Sequence, residues 1–150
     1  MNTGPLNILL IEDSIEDIDL IRAAFEESVL KPRVSVVTDG QEALDFLYKK
    51  GDYKNVIDPD LIILDLNLPK KSGHEILSKI KFNPQLKMIP VVVLTTSRSS
   101  ADILKSYQNH TNCYICKPLK YEQFIDVIKE IERFWLSVAQ LPNIRSGELL

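Results

Sequence analysis

Four short segments carry groups able to do chemistry on a charged oxygen compound: Glu12-Asp13, Asp65, Thr95 and Lys117-Pro118. Each follows or closes an apolar run: "ILLI" at 8–11, "LIIL" at 61–64, "VVVL" at 91–94 and "CYIC" at 113–116. A carboxylate at the end of a buried strand is costly unless something nearby needs its charge. Three carboxylates at close range repel one another, and one resists ionising unless a cation joins them. A hard divalent cation answers that need, because Mg2+ takes oxygen ligands and keeps waters and phosphate oxygens in its shell. With the metal in place, an ionised Asp65 could attack a phosphoryl group, since carboxylates form aspartyl-phosphates. The metal and the Lys117 ammonium would neutralise charge on the transferring oxygens. Thr95 would donate a hydrogen bond to the phosphoryl group once attached. The plainer reading is that each polar residue caps the helix after its strand, as Ser14 and Asp39 are expected to do. Lys117 is in the wrong place for that role.

For these groups to meet, the strands that carry them must end at one edge. A fifth apolar run, "VSVV" at 34–37, joins the other four, and amphipathic segments lie between them. Ser14 with Asp17 makes a capping-box pattern, after which Ile18, Ile21, Phe25 and Val29 recur at helical steps. Asp39 can cap a second helix with Glu42 at its third position; Ala43, Leu44 and Leu47 face inward and Gly51 offers a stop. "GHEILSKIKF" ends at Asn83-Pro84, and "SADILKSYQN" follows the fourth run. The last helix is expected from about Tyr121 to Val138, carrying Phe124, Val127, Ile128, Ile131 and Phe134. Strand–helix alternation repeated five times means an α/β fold, a parallel sheet with helices on both faces. Near-continuous apolar strands agree. In such a sheet, ligands bind in the crevice at the C-terminal strand ends, where three carboxylates, a hydroxyl and an ammonium converge. The stretch "GDYKNVIDPD" (51–60) reads as a long loop, and no repeat or linker composition divides the chain.

The 150 residues carry a net charge of -3 with 45% hydrophobic and 26% charged residues, a mild acidity that argues against nucleic-acid binding. "MNTGPLNILLIED" lacks a basic leader pattern, and no stretch approaches the roughly 20 apolar residues of a membrane span. With two cysteines only, this points to a cytoplasmic protein. Cys113 and Cys116 form a lone C-x-x-C without two further ligands at suitable spacing. On a strand, residues three apart face opposite ways, so buried structural thiols are expected. His74 and His110 read as solvated. The lysines of "PKKSG" read as a solvated turn bordering the pocket, placed to help dock a kinase by charge.

The set Glu12-Asp13, Asp65, Thr95 and Lys117-Pro118, with steps of thirty from Asp65 to Thr95 and twenty-two from Thr95 to Lys117, resembles the receiver domain of two-component response regulators. The likeness covers roughly residues 6–138, and Tyr114 falls at the family's switch aromatic. "DLNLPKKSGHEIL", "IPVVVLTTS", "NCYICKP" and "ERFWL" look like the small regulators that partner bacterial, cyanobacterial-type phytochromes. The resemblance implies a flavodoxin-like, doubly wound, five-stranded parallel sheet of order 2-1-3-4-5 with five helices. It implies Asp65 as phosphoacceptor, Asp13 and Asp65 in direct contact with Mg2+, Glu12 acting through water, and the backbone carbonyl of Asn67 as a further ligand. Lys117 would pair with Asp65 or its phosphoryl group, the Lys117–Pro118 bond is a candidate cis peptide, and Thr95 with Tyr114 would form the switch. The partner implied is a histidine kinase, phytochrome-type by the local motifs. Two departures stand out: Thr96, where the family usually has a very small residue, and the lengthened 51–60 loop.

Phosphorylation would add charge at one end of the sheet. Thr95 would move toward it and Tyr114 would fill the vacated space, reshaping the face of the fourth helix, fifth strand and fifth helix. The tail at 139–150 is too short for an output domain, so the signal is expected to leave by protein contact or onward phosphotransfer. Trp135, Leu136 and Ile125 add apolar surface beyond the main stripe. The plainer reading packs Trp135 under the tail or the loop, and the other predicts a homodimer through that face. Two other readings compete. An aspartyl-nucleophile phosphohydrolase wants an acid two residues after the nucleophile, where this chain has Asn67. A phosphorylation-independent interaction module would keep the receiver fold without the chemistry. The expected protein is thus no turnover enzyme; its only chemistry is its own phosphorylation and dephosphorylation.

Overall fold

Apolar runs of four or five residues with polar groups only at their ends pair readily with one another and need cover on both faces. The computed structural model, which describes residues 4–142, shows this outcome. The strands are β1 (Asn7–Ile11), β2 (Arg33–Val37), β3 (Leu61–Leu64), β4 (Val91–Thr95) and β5 (Cys113–Cys116). They alternate with helices α1 (Ile15–Glu26), α2 (Gly40–Leu47), α3 (Gly73–Lys81), α4 (Ser100–Gln108) and α5 (Tyr121–Glu132). All pairings are parallel, in the order β2-β1-β3-β4-β5. This is the flavodoxin-like arrangement expected from the sequence.

Period-two alternation divides the core. Leu9, Ile11, Ile62, Leu64, Val91 and Val93 point to the α2–α3 side, where Ala43, Leu47, Ile76, Leu77 and Ile80 meet them. Ile8, Leu10, Leu61, Ile63, Val92 and Leu94 point to the α1–α5 side, against Ile21, Phe25, Phe124, Ile128 and Ile131. Only β3 and β4 are buried along their whole length. The edge strands β2 and β5 are half covered, so Cys113 and Cys116 are half-buried, not fully buried as expected. They do face opposite ways: Cys113 packs on the α1–α5 side, while Cys116 Sγ reaches the Ser97 carbonyl at 3.6 Å.

The caps behave as their residue types dictate. Ser14 Oγ accepts from Asp17 N, and Asp39 Oδ1 accepts from Glu42 N while Glu42 Oε1 accepts from Thr38 N. Each satisfies backbone donors that a helix start leaves free. Three helix boundaries differ from expectation. α1 ends at Glu26, leaving Val29 outside the stripe and 95% exposed. α2 ends at Leu47, and Lys49 (φ 56°) turns the chain; Gly51 (φ 58°) instead opens a 3-10 turn, Gly51–Tyr53. α5 passes at Glu132 into a π-helical turn, Arg133–Val138, closed by Ala139 N on Phe134 O. The wider turn shifts the helix phase. Leu136 therefore enters the core and Trp135 packs against it, while Phe134 lies exposed.

The 51–60 loop is tied down. The Tyr53 ring packs on Phe46 with centroids 5.2 Å apart, and its hydroxyl donates to Glu42 at 3.0 Å. Lys49 pairs with Asp58 at 2.6 Å, and Asp60 accepts from Asn7 N at 2.8 Å. Among the described residues no peptide bond is cis, so Lys117–Pro118 is trans, the lower-energy X–Pro isomer, contrary to expectation. No helix of the described residues is long and apolar enough to cross a membrane. Of the 139–150 tail, residues 143–150 lie outside those described.

Candidate functional site

Register brings the polar strand ends together. Asp65 N donates to Ile11 O at 3.0 Å, continuing the β1–β3 ladder one step beyond its last paired residues, and Lys117 N donates to Thr95 O at 2.7 Å. Glu12, Asp65, Thr95 and Lys117 are all buried there, while Asp13 and Asn67 are exposed at the rim. Lys117 Nζ donates to Glu12 Oε2 at 2.6 Å, to Asp17 Oδ2 at 2.8 Å and to Asp65 Oδ2 at 2.8 Å. The other Glu12 oxygen accepts from Asp13 N at 3.1 Å and Ser14 N at 3.0 Å. The other Asp65 oxygen accepts from Asn67 N at 3.1 Å.

The electrostatics follow from burial against charge. Burial and the Asp65 charge push the Glu12 carboxyl up to about 7, against the opposing pull of Lys117. For Asp65, burial pushes the same way, but the Lys117 ammonium and the Asn67 N–H outweigh it and hold the carboxyl below its usual range. Lys117 loses hydration on burial, yet its three carboxylate partners hold it charged above the usual lysine range. The Thr95 hydroxyl also favours an ionised Asp65, but no hydrogen-bond partner lies within ordinary distance of its oxygen, which is fully buried. A buried hydroxyl without a protein partner at ordinary distance carries a desolvation cost that an acceptor brought into the pocket would relieve.

Three carboxylates thus contact one ammonium, and Asp13 adds a fourth at the rim. Oxygens of Glu12, Asp13 and Asp65 lie within 4.8 Å of one another, the one such cluster among the described residues. An all-oxygen donor set with excess negative charge suits a hard divalent cation.

Further from the pocket, the Tyr114 ring packs on the α2–α3 side of the core, and its hydroxyl donates to Ser97 O at 2.9 Å. Thr96, just before Ser97, is exposed and lines a groove on the α1–α5 side with Asp17, Leu20, Pro118 and Tyr121. All seven residues singled out from sequence therefore gather at one end of the sheet or, for Tyr114, one step behind it. Asp17 fits the capping pattern, yet its place one turn beyond Asp13 also aims it at the same edge, where it meets Lys117. His74 is half-buried, not solvated: its Nε2 lies 2.9 Å from Asp102 Oδ1, and Asp102 Oδ2 accepts from Ser97 Oγ at 2.6 Å. His110 is exposed as expected, turned by φ 67° against the Phe82 ring. Of the "PKKSG" lysines, Lys70 pairs with Asp39 and Lys71 with Glu75, both at 3.3 Å.

The family described as response regulator receiver domain matches residues 8–129. The chain belongs to that family. The receiver is 45% identical over 138 residues to the response regulator Rcp1 of Synechocystis sp., covering 92% of this chain and 94% of that one. Among solved structures it is similar to the phosphorylated cyanobacterial phytochrome response regulator RcpA, with TM-score 0.92, 49% identity, and 93% and 100% coverage. It is also similar to a Mn(2+)-bound form of Rcp1, with TM-score 0.90, 45% identity, and 92% and 99% coverage. These relatives are response regulators, signalling proteins and not enzymes, and the receiver is of that kind. One of these relatives is a Mn(2+)-bound form, and the acidic cluster of this chain offers the kind of oxygen donor set that suggests divalent-metal binding.

Proposed function

We propose that this receiver takes a phosphoryl group onto Asp65 from a histidine kinase, a phytochrome-type kinase, and signals through the α4-β5-α5 face. The observation that carries this reading is the Lys117 ammonium shared among Glu12, Asp17 and Asp65 beside a buried Thr95 hydroxyl that lacks a partner. Such a pocket is complete on its anionic side and lacks an acceptor on its hydroxyl side. A phosphoryl group on Asp65 supplies oxygen acceptors to both Thr95 and Lys117.

Mg2+ would be held by Asp13, Asp65 and the Asn67 carbonyl, with Glu12 acting through water. When bound, the cation supplies neutralising charge to phosphoryl oxygens. The chain's own residues do the rest. Asp65 stays ionised because Lys117 and Asn67 N–H stabilise its charge, so it is ready as a nucleophile. An Asp65 oxygen forms the bond to phosphorus while the kinase imidazole leaves with its electron pair. Lys117 then faces the phosphoryl oxygens, and Thr95 rotates its hydroxyl onto one of them. The shift loosens the loop at Ser97, whose carbonyl holds Tyr114 OH, and frees the ring to enter. The similarity to phytochrome response regulators supports the choice of kinase.

Incubation with Mg2+ and acetyl phosphate, read by phosphate-affinity electrophoresis, should give a slowly decaying adduct that Asp65→Asn abolishes. Repeated phosphate release would indicate a hydrolase, and no adduct an inert interaction module. A phosphotransfer profile against purified histidine kinases tests the partner; labelling by non-phytochrome kinases alone would overturn that part. The α4-β5-α5 face also carries the proposed homodimer contact. Leu136 is buried and Trp135 packs on the core, so these two no longer supply it. Leu104 and Tyr107 of α4 are exposed there instead. Sedimentation giving a monomer in both phosphorylation states would exclude the dimer. The reading extends over residues 6–138 of a cytoplasmic protein.

A further inference from the structure

We propose that Asp17 is a positioning residue that draws the Lys117 ammonium toward α1 in the unphosphorylated receiver and so slows phosphorylation of Asp65. This rests on the reading of Asp65 as phosphoacceptor.

An ammonium has three N–H donors. In Lys117 each goes to a different carboxylate, at 2.6 Å to Glu12 and 2.8 Å to both Asp17 and Asp65. No donor is left for an incoming phosphoryl oxygen, so one contact must open during transfer. The three are not equivalent. Glu12 is 2% exposed at its side chain and held by two backbone N–H groups. Asp65 is the reacting group itself, anchored by Asn67 N. Asp17 is 21% exposed, lies on the first turn of α1, and has Lys117 as its only side-chain partner among the described residues. Its carboxylate can be taken up by water at the smallest cost, because an ion pair open to solvent is worth little. The Asp17–Lys117 contact therefore belongs to the unphosphorylated state and is absent when the lysine faces the phosphoryl oxygens. An interaction made in the ground state and lost in the transition state slows the step.

Acetyl phosphate is the donor for the test, since a kinase docking over α1 would confound it. An oxygen of Asp65 forms the bond to phosphorus, and acetate leaves with the electron pair of the broken P–O bond; Lys117 transfers no proton. Asp17→Asn and Asp17→Ala should raise the phosphorylation rate constant roughly three- to tenfold. The dephosphorylation rate, measured after donor removal, should stay within about twofold, because the contact is already open in that state. Asp17→Glu keeps a charged acceptor and should restore the slow rate. Glu16→Gln removes the same charge from the same turn without touching Lys117 and should leave the rate as it was. Unchanged or slower phosphorylation in Asp17→Asn overturns the proposal. So does equal acceleration in Glu16→Gln or Asp17→Glu, which would make the effect one of bulk charge or local packing. Melting by circular dichroism confirms that each variant is folded before its rate is used. A label that survives Asp65→Asn sinks the phosphoacceptor reading instead, whatever Asp17 does.

Discussion

Two lysines are buried at opposite ends of this fold, and they are held in different ways. Lys117, at the C-terminal end of β5, meets three carboxylates. Lys81, in the last turn of α3, meets only backbone carbonyls, those of Lys87 at 3.1 Å and Ile89 at 2.8 Å. Burial pushes both ammonium groups toward losing their proton. At Lys117 the carboxylates reverse the push, whereas at Lys81 nothing does, and its pKa falls to about 8. Dipoles suffice to strap the 87–89 turn onto α3, but only full charges keep a buried ammonium charged across the accessible pH range. The second arrangement also couples its members, so a change at one carboxylate is felt by the others.

Replacing Lys117 should break the comparison most severely. In Lys117→Met, Glu12 and Asp65 remain buried without a counter-charge, a loss of about 3–5 kcal/mol at neutral pH without divalent metal. Both carboxyls would then titrate higher in the folded than in the unfolded chain. The folded state would bind more protons, so the variant should gain stability relative to wild type as pH falls from 7 toward 5. Added Mg2+ should recover part of the loss. Urea melts at several pH values with and without metal measure both effects; a deficit indifferent to each would show that the carboxylates are not the cause.

Lys81 should give a smaller effect of defined sign. Its folded pKa of about 8 lies below the ordinary 10.5. The unfolded chain therefore keeps a proton that the folded chain has lost, and stability rises with pH across that window. Wild type should gain up to roughly 3 kcal/mol on Lys81→Met between those limits, read as converging or crossing melts. Parallel pH profiles would mean that the lysine is hydrated. The smallest change expected is at Thr95. Thr95→Val removes a buried hydroxyl without a partner, and should stabilise the unphosphorylated protein by about 1 kcal/mol while removing the tyrosine movement that follows acetyl phosphate treatment. Tyr114 fluorescence or NMR shifts report the latter.

The sheet and the convergence of Glu12, Asp13, Asp65, Thr95 and Lys117 were legible because strand ends are local signals and a parallel sheet puts them on one edge. What stayed hidden depended on contacts between distant segments or on a change of helical period. His74 read as solvated because its partner Asp102 comes from another helix, 28 residues on. Asp17 satisfied a local pattern, the capping box, which masked its reach to Lys117, 100 residues away. Phe134 and Leu136 exchanged places because a stripe counted at 3.6 residues per turn fails where the turn widens. Lys49 at φ 56°, rather than Gly51, turned the chain after α2, since propensity ranks residues but does not forbid lysine there.

The loops on either side of Asp65 are built unequally. The one after β3 is riveted: Gly73 N donates to Leu66 O, Gly40 N to Pro69 O, and Gly73 packs so close to the Asp65 and Leu66 backbone that a methyl group would collide. The one after β4 runs through Thr96, Arg98 and Ser99 in the open, holding on through side chains at Ser97. A load placed between a rigid jaw and a hinged one travels through the hinge. A group added at Asp65 would meet a closely packed backbone on the β3 side and a more open one toward α4.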